Sequence, residues 1–147
     1  MRSIPVLVSA TAFLVWSQAA SACQELTYES SFEQSDIVFV GTLKRLVVRA
    51  KTPDGLRPLD AIFEVTQPIK GEIPQSITVR DTGNNCYRMP QFSLDWPASR
   101  EYLVFAAKDN DGTYKTYHPL ANTAMTDEKP LAVYKERALA FIKSLGR

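Results

Sequence analysis

The hydrophobic pattern of residues 23–147 changes over short distances and is mainly typical of β-strands. Between Asp36 and Arg49 the chain is rich in Ile, Val, Phe and Leu, and Gly41 within this run indicates a bulge or a sharp bend. Between Ala61 and Thr66 apolar and polar residues alternate with the period of a half-buried strand. Further short runs of strand character are Ile77–Arg80, Glu101–Ala107 and Tyr114–His118. The pattern therefore predicts five strands.

Turn-forming residues separate these runs. Thr52–Gly55 combines Pro, Asp and Gly and predicts a turn between the first and second strands. Lys70–Pro74 is turn-like and precedes the third strand. Asp109–Gly112 is a strong signal for a hairpin between the fourth and fifth strands. The segment Arg88–Arg100 contains two prolines and is predicted to be a long ordered loop.

Two segments have helical character. Tyr28–Gln34 predicts a short helix that leads into the first strand. Pro130–Leu145 predicts a longer one, because Pro suits a first turn and the preceding acidic residues favour the positive end of the helix dipole. Its apolar face, which we interpret as core packing, comprises Leu131, Tyr134, Ala138, Leu139, Ile142 and Leu145. Antiparallel strands with terminal helices predict an all-β fold, a five-stranded barrel of the OB type.

The first 22 residues have the order of a secretory signal peptide. An early positive charge is followed by the apolar stretch Ile4–Trp16, and Ala20–Ala22 forms an Ala-x-Ala site directly before Cys23. The apolar stretch is 13 residues long, whereas a membrane-spanning helix needs about 20. We therefore predict a secreted or periplasmic protein without a transmembrane segment, with a signal peptide at 1–22 and a single domain at 23–147.

The net charge argues against polyanionic partners. The chain has 17 Lys and Arg residues against 16 Asp and Glu residues, and Arg2 belongs to the predicted signal peptide. Proteins that bind nucleic acid or anionic membranes concentrate positive charge on one surface. The basic run Lys44–Lys51 is local, and we interpret it as a solvated strand face and loop. Nucleic acid is therefore not an expected partner.

Cys23 and Cys86 are the only cysteines, and both lie in the part predicted to be exported. In an oxidising compartment such a pair usually forms a disulfide. A bridge that closes a loop of about 60 residues stabilises a protein by about 4 kcal/mol in the chain-entropy model. Lipid acylation of Cys23 is the alternative, because Ala20–Cys23 is close to a lipoprotein cleavage box. We prefer the disulfide, since Ala20 stands where such a box usually has Leu.

Candidate catalytic groups are few. His118 is the only histidine, and the two cysteines cannot complete a closed structural zinc site with it. A Cys–His nucleophilic pair would need a reduced Cys86, which export disfavours. Asp109–Gly112 resembles a fragment of a calcium loop, but a hairpin turn explains it better. We therefore predict that the protein is not an enzyme and that it uses neither a cofactor nor a metal of its own.

The order of these features resembles one known family. A cysteine follows the signal peptide directly, and a short helix leads through Ser35 and Asp36 into the first strand. The later motifs are Phe63–Gly71, Ile77–Arg80, Asn84–Cys86 and Arg100–Ala106. In this order they resemble the N-terminal domain of tissue inhibitors of metalloproteinases, a netrin-like OB fold, and its shorter bacterial relatives. The resemblance extends from about Cys23 to Thr123.

The resemblance implies a mechanism of inhibition. In that family, the α-amine and the backbone carbonyl of an N-terminal cysteine chelate the catalytic zinc of a metalloprotease and displace the attacking water. A disulfide ties this cysteine to one in the loop after the third strand, and Cys23 and Cys86 match the two positions. The side chain of Gln24 would enter the specificity pocket. The other expected protease contacts are Glu25, Gly83, Asn84, Asn85 and Tyr87.

The chain departs from the family pattern in ways that concern the N-terminus. The inhibitors usually have a second cysteine two positions after the first, where this chain has Glu25, and the region Ala121–Thr123 lacks the cysteine that would pair with it. Tyr87 replaces the glycine that commonly follows the loop cysteine. A less braced N-terminus is a less preorganised chelator. The alternative function is therefore a non-inhibitory module on the same fold, secreted or envelope-associated, that binds proteins or serves a structural role.

Overall fold

The structure, a computed structural model, describes residues 26–82, 100–116 and 120–146. Its elements in chain order are α1 (Tyr28–Gln34), β1 (Ile37–Val48), β2 (Leu59–Lys70), β3 (Ser76–Asp81), β4 (Glu101–Lys108), β5 (Tyr114–Thr116), β6 (Thr123–Ala124) and α2 (Ala132–Ser144). All five predicted strands and both predicted helices are present, whereas the short strand β6 was not predicted. The predicted signal peptide, residues 88–99 of the predicted loop and residues 117–118 of the predicted fifth strand lie outside the described residues.

The first five strands close into a barrel. β1 pairs with β2 and β2 with β3, both antiparallel, and β5 pairs antiparallel with β4. Two pairings complete the ring, a parallel one between β3 and β5 and an antiparallel one between β1 and β4. β6 extends the sheet beside β4. The prediction of an all-β, five-stranded OB-type barrel with terminal helices is confirmed.

The bend that Gly41 indicated in the sequence lies within β1. The pairing register between β1 and β2 shifts between Val40 and Gly41, and β1 pairs with β4 only as far as Thr42. A Cβ atom at Gly41 would lie 2.9 Å from Phe39 Cε2 and 3.0 Å from the carbonyl oxygen of Glu64. Glycine is required here because the bent strand brings another strand's backbone and an aromatic ring close to its Cα.

The inward-facing side chains of the strands form the barrel core. The Phe63 ring contacts Phe39 at a centroid distance of 5.6 Å and Tyr102 at 6.0 Å, both edge-to-face. Burial raises the pKa of Tyr102 to about 12, because the charged phenolate would lose its hydration. The other buried members are Ile37, Leu43, Ala61, Ile77, Val79, Val104, Ala106 and Ala124. Alternate residues of β1 and β4 supply much of this core, as the period of a strand requires.

A second core separates the outer face of the barrel from the two helices. The strand residues buried here are Val38, Val40, Ile69, Leu103 and Phe105. α2 contributes Ala138, Phe141 and Ile142, and α1 contributes the partly buried Tyr28 and Phe32. β1 and β4 are thus covered on both faces over part of their length. Strands buried on both faces have nearly continuous apolar sequences, which is the composition seen in these two runs.

The apolar face predicted for α2 is only partly correct. Ala138 and Ile142 are buried as expected, but Tyr134 is 46% and Leu139 48% exposed. Phe141, which was not assigned to the face, is buried instead. A helix turns about 100° per residue, so Leu139 lies well to one side of Ala138. The stripe that α2 buries is therefore narrower than the apolar pattern of its sequence.

Candidate functional site

The sequence-predicted site residues lie outside the described residues. These residues are Cys23, Gln24, Glu25, Gly83, Asn84, Asn85, Cys86 and Tyr87, and His118 lies outside them as well. The structure describes the points at which their segments join the barrel. Leu26 begins the described chain just before α1, and Thr82 follows the end of β3. The contacts around these two junctions define the candidate site.

The first junction is anchored by Tyr28. Its hydroxyl oxygen lies 2.9 Å from Thr123 Oγ1 in β6 and donates to the carbonyl oxygen of Tyr134 in α2 at 3.3 Å. Its ring stacks on Phe141 at 5.4 Å and on Phe105 at 6.2 Å. One side chain therefore connects α1 with β4, β6 and α2.

Hydrogen bonds from backbone N–H groups to side-chain hydroxyls stabilise the start and the middle of α1. Thr27 is the N-cap residue, and its hydroxyl accepts from the backbone N–H of Ser30 at 3.2 Å. The fully buried Ser31 accepts from the N–H of Ala121 at 3.0 Å. Because Ala121 lies just before β6, α1 is joined to the same segment by Ser31 and by Tyr28.

Lys70 at the end of β2 holds the C-terminal end of α1. Its Nζ donates to the carbonyl oxygens of Phe32 at 2.7 Å and Ser35 at 2.5 Å. The same ammonium group lies 5.0 Å from the centroid of the Phe32 ring. The last carbonyl groups of a helix lack intrahelical donors and carry partial negative charge, so a cation stabilises them. α1 is therefore attached to the barrel at both of its ends.

The second junction, at the end of β3, is connected by hydrogen bonds to the segment before β6 that also contacts α1. The N–H of Thr82 donates to the carbonyl oxygen of Thr116 at 3.2 Å. The Thr116 hydroxyl accepts from Asn122 Nδ2, and Asn122 Oδ1 accepts from the N–H of Phe105 at 2.7 Å. Residues 120–123 thus contact α1 on one side and β5, the neighbour of β3, on the other. The two junctions are connected through this short segment.

A groove of about 430 Å³ opens beside the first junction. Residues 26–29, residues 121–124 and α2 line it. Leu26 and Leu131 contribute apolar surface, and Glu29 is an acidic group at its lining. Tyr134 and Arg137 form its α2 side, with the guanidinium carbon of Arg137 5.9 Å from the centroid of the Tyr134 ring. The groove therefore offers a mixed polar and apolar surface next to the start of the described chain.

Comparison with known proteins gives no assignment. No protein-family model matches the chain, and no curated protein is significantly similar to it.

The described residues show no metal centre. Within residues 26–82, 100–116 and 120–146, no three His, Cys, Asp or Glu side chains are grouped so that they would hold a metal ion. In these ranges there is also no helix long and apolar enough to cross a membrane. The arrangement seen here is instead a set of anchoring contacts around two chain segments that leave the barrel.

Sequence reasoning did not identify the residues that form these anchors. Tyr28 was placed on a predicted helix, but nothing in the local sequence indicates that this tyrosine contacts three elements far away along the chain. Thr123 and Lys70 likewise have their role only through residues far away along the chain. The one available signal was indirect. An isolated helix of seven residues is unstable in water, so a predicted short helix implies tertiary contacts that hold it.

Proposed function

We propose that this protein is an exported metalloprotease inhibitor, secreted or periplasmic, rather than an enzyme. Its mature N-terminus at Cys23 chelates the catalytic zinc of the protease through the α-amine and the backbone carbonyl, and Gln24 enters the specificity pocket. Glu25 and residues 83–87 make the flanking contacts. The observation that carries the proposal is an OB-type barrel on which α1, close behind the predicted N-terminus, is held at both ends.

The anchoring of α1 supports chelation because it limits the motion of the segment before it. Leu26 lies three residues after Cys23, and three extended residues span about 11 Å at most. Leu26 is followed directly by Thr27, the N-cap of the anchored helix. A chelating amine this close in sequence to the anchored helix α1 loses less conformational freedom on binding than an amine at the end of a long flexible tail.

The second junction supports a disulfide between Cys23 and Cys86. Such a bridge requires Cα atoms within about 7 Å of each other. Thr82, four residues before Cys86, is hydrogen-bonded to Thr116, and Thr116 is linked through Asn122 to the segment that contacts α1. The points at which the two cysteine-bearing segments join the described fold are thus connected by hydrogen bonds. We prefer the disulfide to acylation of Cys23, since Ala20 stands where a lipoprotein cleavage box usually has Leu.

The decisive experiment alters only the N-terminus. The mature chain beginning at Cys23 is compared with a form that carries one additional Ala before Cys23, against a panel of zinc metalloproteases with a fluorogenic peptide substrate. The added residue moves the α-amine away from the chelating position, so we expect inhibition to weaken by at least about 100-fold, which corresponds to losing about 3 kcal/mol of binding free energy. Thermal unfolding of the two forms should be the same. Equal inhibition by both forms, or inhibition by neither, would contradict the proposal.

Intact-mass measurement of the exported protein provides an independent test. We expect a chain that begins at Cys23 and has the mass of the disulfide form, two hydrogen atoms below the reduced form. Residues remaining before Cys23 would block the amine. An acyl modification at Cys23 would exclude both chelation and the disulfide, and either result would reject the mechanism.

A second candidate is a protein-binding or structural module on the same fold that does not chelate zinc. The exposed apolar side chains of α2 favour it, since Val133 is 44% and Leu139 48% exposed. Isolated exposed apolar residues are common on soluble proteins, which is why this candidate ranks second. It predicts that neither N-terminal form inhibits any protease, while substitutions on α2 alter the capture of a partner.

A further inference from the structure

We infer that Tyr28 is a positioning residue for the N-terminal segment, and that its hydroxyl acts by joining α1 to β6 and α2. Its importance for inhibition rests on the function proposed above. Tyr28 lies two residues after Leu26, and its hydroxyl reaches Thr123 Oγ1 at 2.9 Å and the carbonyl oxygen of Tyr134 at 3.3 Å. It therefore holds the first turn of α1 against β6 and α2.

The length of α1 makes this hydroxyl important. A helix of seven residues has too few internal hydrogen bonds to hold its position alone, so its orientation depends on contacts with the rest of the fold. Lys70 holds the carbonyl groups at its C-terminal end. Tyr28 holds its first turn. Without the hydroxyl, the C-terminal end of α1 would stay attached while its first turn would open more often.

The ring and the hydroxyl of Tyr28 have separable roles. The ring stacks on Phe105 and Phe141 within the second core. The hydroxyl makes the polar contacts to β6 and α2. Phenylalanine retains the ring and removes only the oxygen, so Tyr28→Phe changes the positioning contact without opening a cavity in the core. Tyr134→Phe is the matched control, because it removes a hydroxyl from a side chain that is 46% exposed in the same groove.

Amide hydrogen exchange measures how firmly the Tyr28 hydroxyl holds α1. In the mature chain, we expect Tyr28→Phe to raise exchange of the α1 amides by about tenfold, the effect of losing a net hydrogen bond. Tyr134→Phe should leave exchange in α1 unchanged. Amides of β1 and β4 that exchange only through global unfolding should rise by no more than the same factor, because loss of the contact also lowers the free energy of unfolding. Thr123→Val, which removes the other oxygen of the contact and also the hydroxyl that donates to the carbonyl oxygen of Ala121, should raise exchange in α1 by at least as much. Unchanged exchange in α1 of Tyr28→Phe, or an equal rise in α1 of Tyr134→Phe, would overturn the inference.

Inhibition provides the second measurement. Against a protease that the mature chain inhibits, Tyr28→Phe should raise the inhibition constant by about tenfold while its unfolding temperature falls by only about 4 °C, so that the protein stays folded in the assay, and Tyr134→Phe should have no effect. Equal inhibition by Tyr28→Phe and the unaltered chain would overturn the inference. Failure of the unaltered chain to inhibit any protease would instead reject the proposed function. In that case the exchange measurements would still decide whether the Tyr28 hydroxyl holds α1.

Discussion

Arg80 in β3 donates from Nε to Asp60 Oδ1 in β2 at a distance of 2.8 Å. Asp60 is only 4% exposed, and its second carboxylate oxygen accepts from Arg49 Nε at 2.6 Å. Arg49 follows the last residue of β1. This buried carboxylate therefore joins three consecutive strands at one end of the barrel, close to the point where β3 leads into Thr82.

We predict that Asp60→Asn destabilises the protein by about 2–3 kcal/mol. The substitution leaves the guanidinium groups of Arg49 and Arg80 without their shared negative charge at a partly buried position. Urea denaturation at neutral pH measures the change. Asp127→Asn is the control, because that carboxylate is 88% exposed in its pair with Lys135 and should contribute less than about 0.5 kcal/mol. Equal losses in the two variants would contradict the prediction.

The effect of Asp60→Asn should depend on pH. Burial alone would raise the pKa of Asp60, but hydrogen bonds from Arg80 and Arg49 and their positive charges together hold this pKa below its ordinary value. A carboxylate with a lowered folded-state pKa stabilises the fold above its unfolded-state pKa of about 3.9, and this stabilisation is lost as the pH falls further. The difference between the two proteins should thus be constant from neutral pH to about pH 4 and shrink below it. A difference that grows toward acidic pH would rule out this explanation.

We predict that Phe141→Ala costs about 3 kcal/mol and loosens both terminal helices. Phe141 is 6% exposed and contacts the rings of Tyr28 at 5.4 Å and Phe32 at 6.0 Å. Its removal leaves a cavity between α1, α2 and the barrel. Leu139→Ala on the exposed side of the same helix should cost less than about 0.5 kcal/mol. Thermal or urea denaturation compares them, and similar losses would show that α2 does not pack as described.

Gly71 and Gly112 test the effect of local crowding at equal backbone strain. Their φ angles are +80° and +81°, but a Cβ atom at Gly71 would lie 2.6 Å from the carbonyl oxygen of Asp36, whereas Gly112 faces open space. Gly112→Ala should cost about 1 kcal/mol because of its positive φ angle. Gly71→Ala should cost about 3 kcal/mol, because β2 and the start of β1 must also move apart. Equal unfolding free energies for the two variants would contradict this.

Most strands and helices could be predicted because their signals are local. Tyr28–Gln34 has the predicted bounds, and the hairpin at Asp109–Gly112 forms with Gly112 at a positive φ angle. β2 extends beyond the predicted Ala61–Thr66 at both ends, to Leu59 and Lys70. Pairing with β1 and β3 holds these extra residues in the sheet although their own pattern is weak.

The features that were missed depend on distant partners. β6 has two residues, too few to show any periodicity, and exists because it pairs with Tyr102 and Leu103 of β4. The buried stripe of α2 was predicted wrongly at Tyr134 and Leu139, since a helix pattern shows which residues are apolar but not how the helix lies against its neighbours. The anchoring role of Tyr28 was not visible for the same reason.

The sequence alone thus determined which segments are strands and helices, where the chain turns, and that five strands suit a small barrel. It did so because hydrophobic periodicity and the backbone preferences of Gly and Pro act over a few residues. Only the tertiary structure decided that β3 pairs in parallel with β5, that Asp60 joins three strands, and that Tyr28 and Lys70 hold α1. These contacts join residues far apart in the chain, and their free energy depends on geometry that exists only after the barrel has closed.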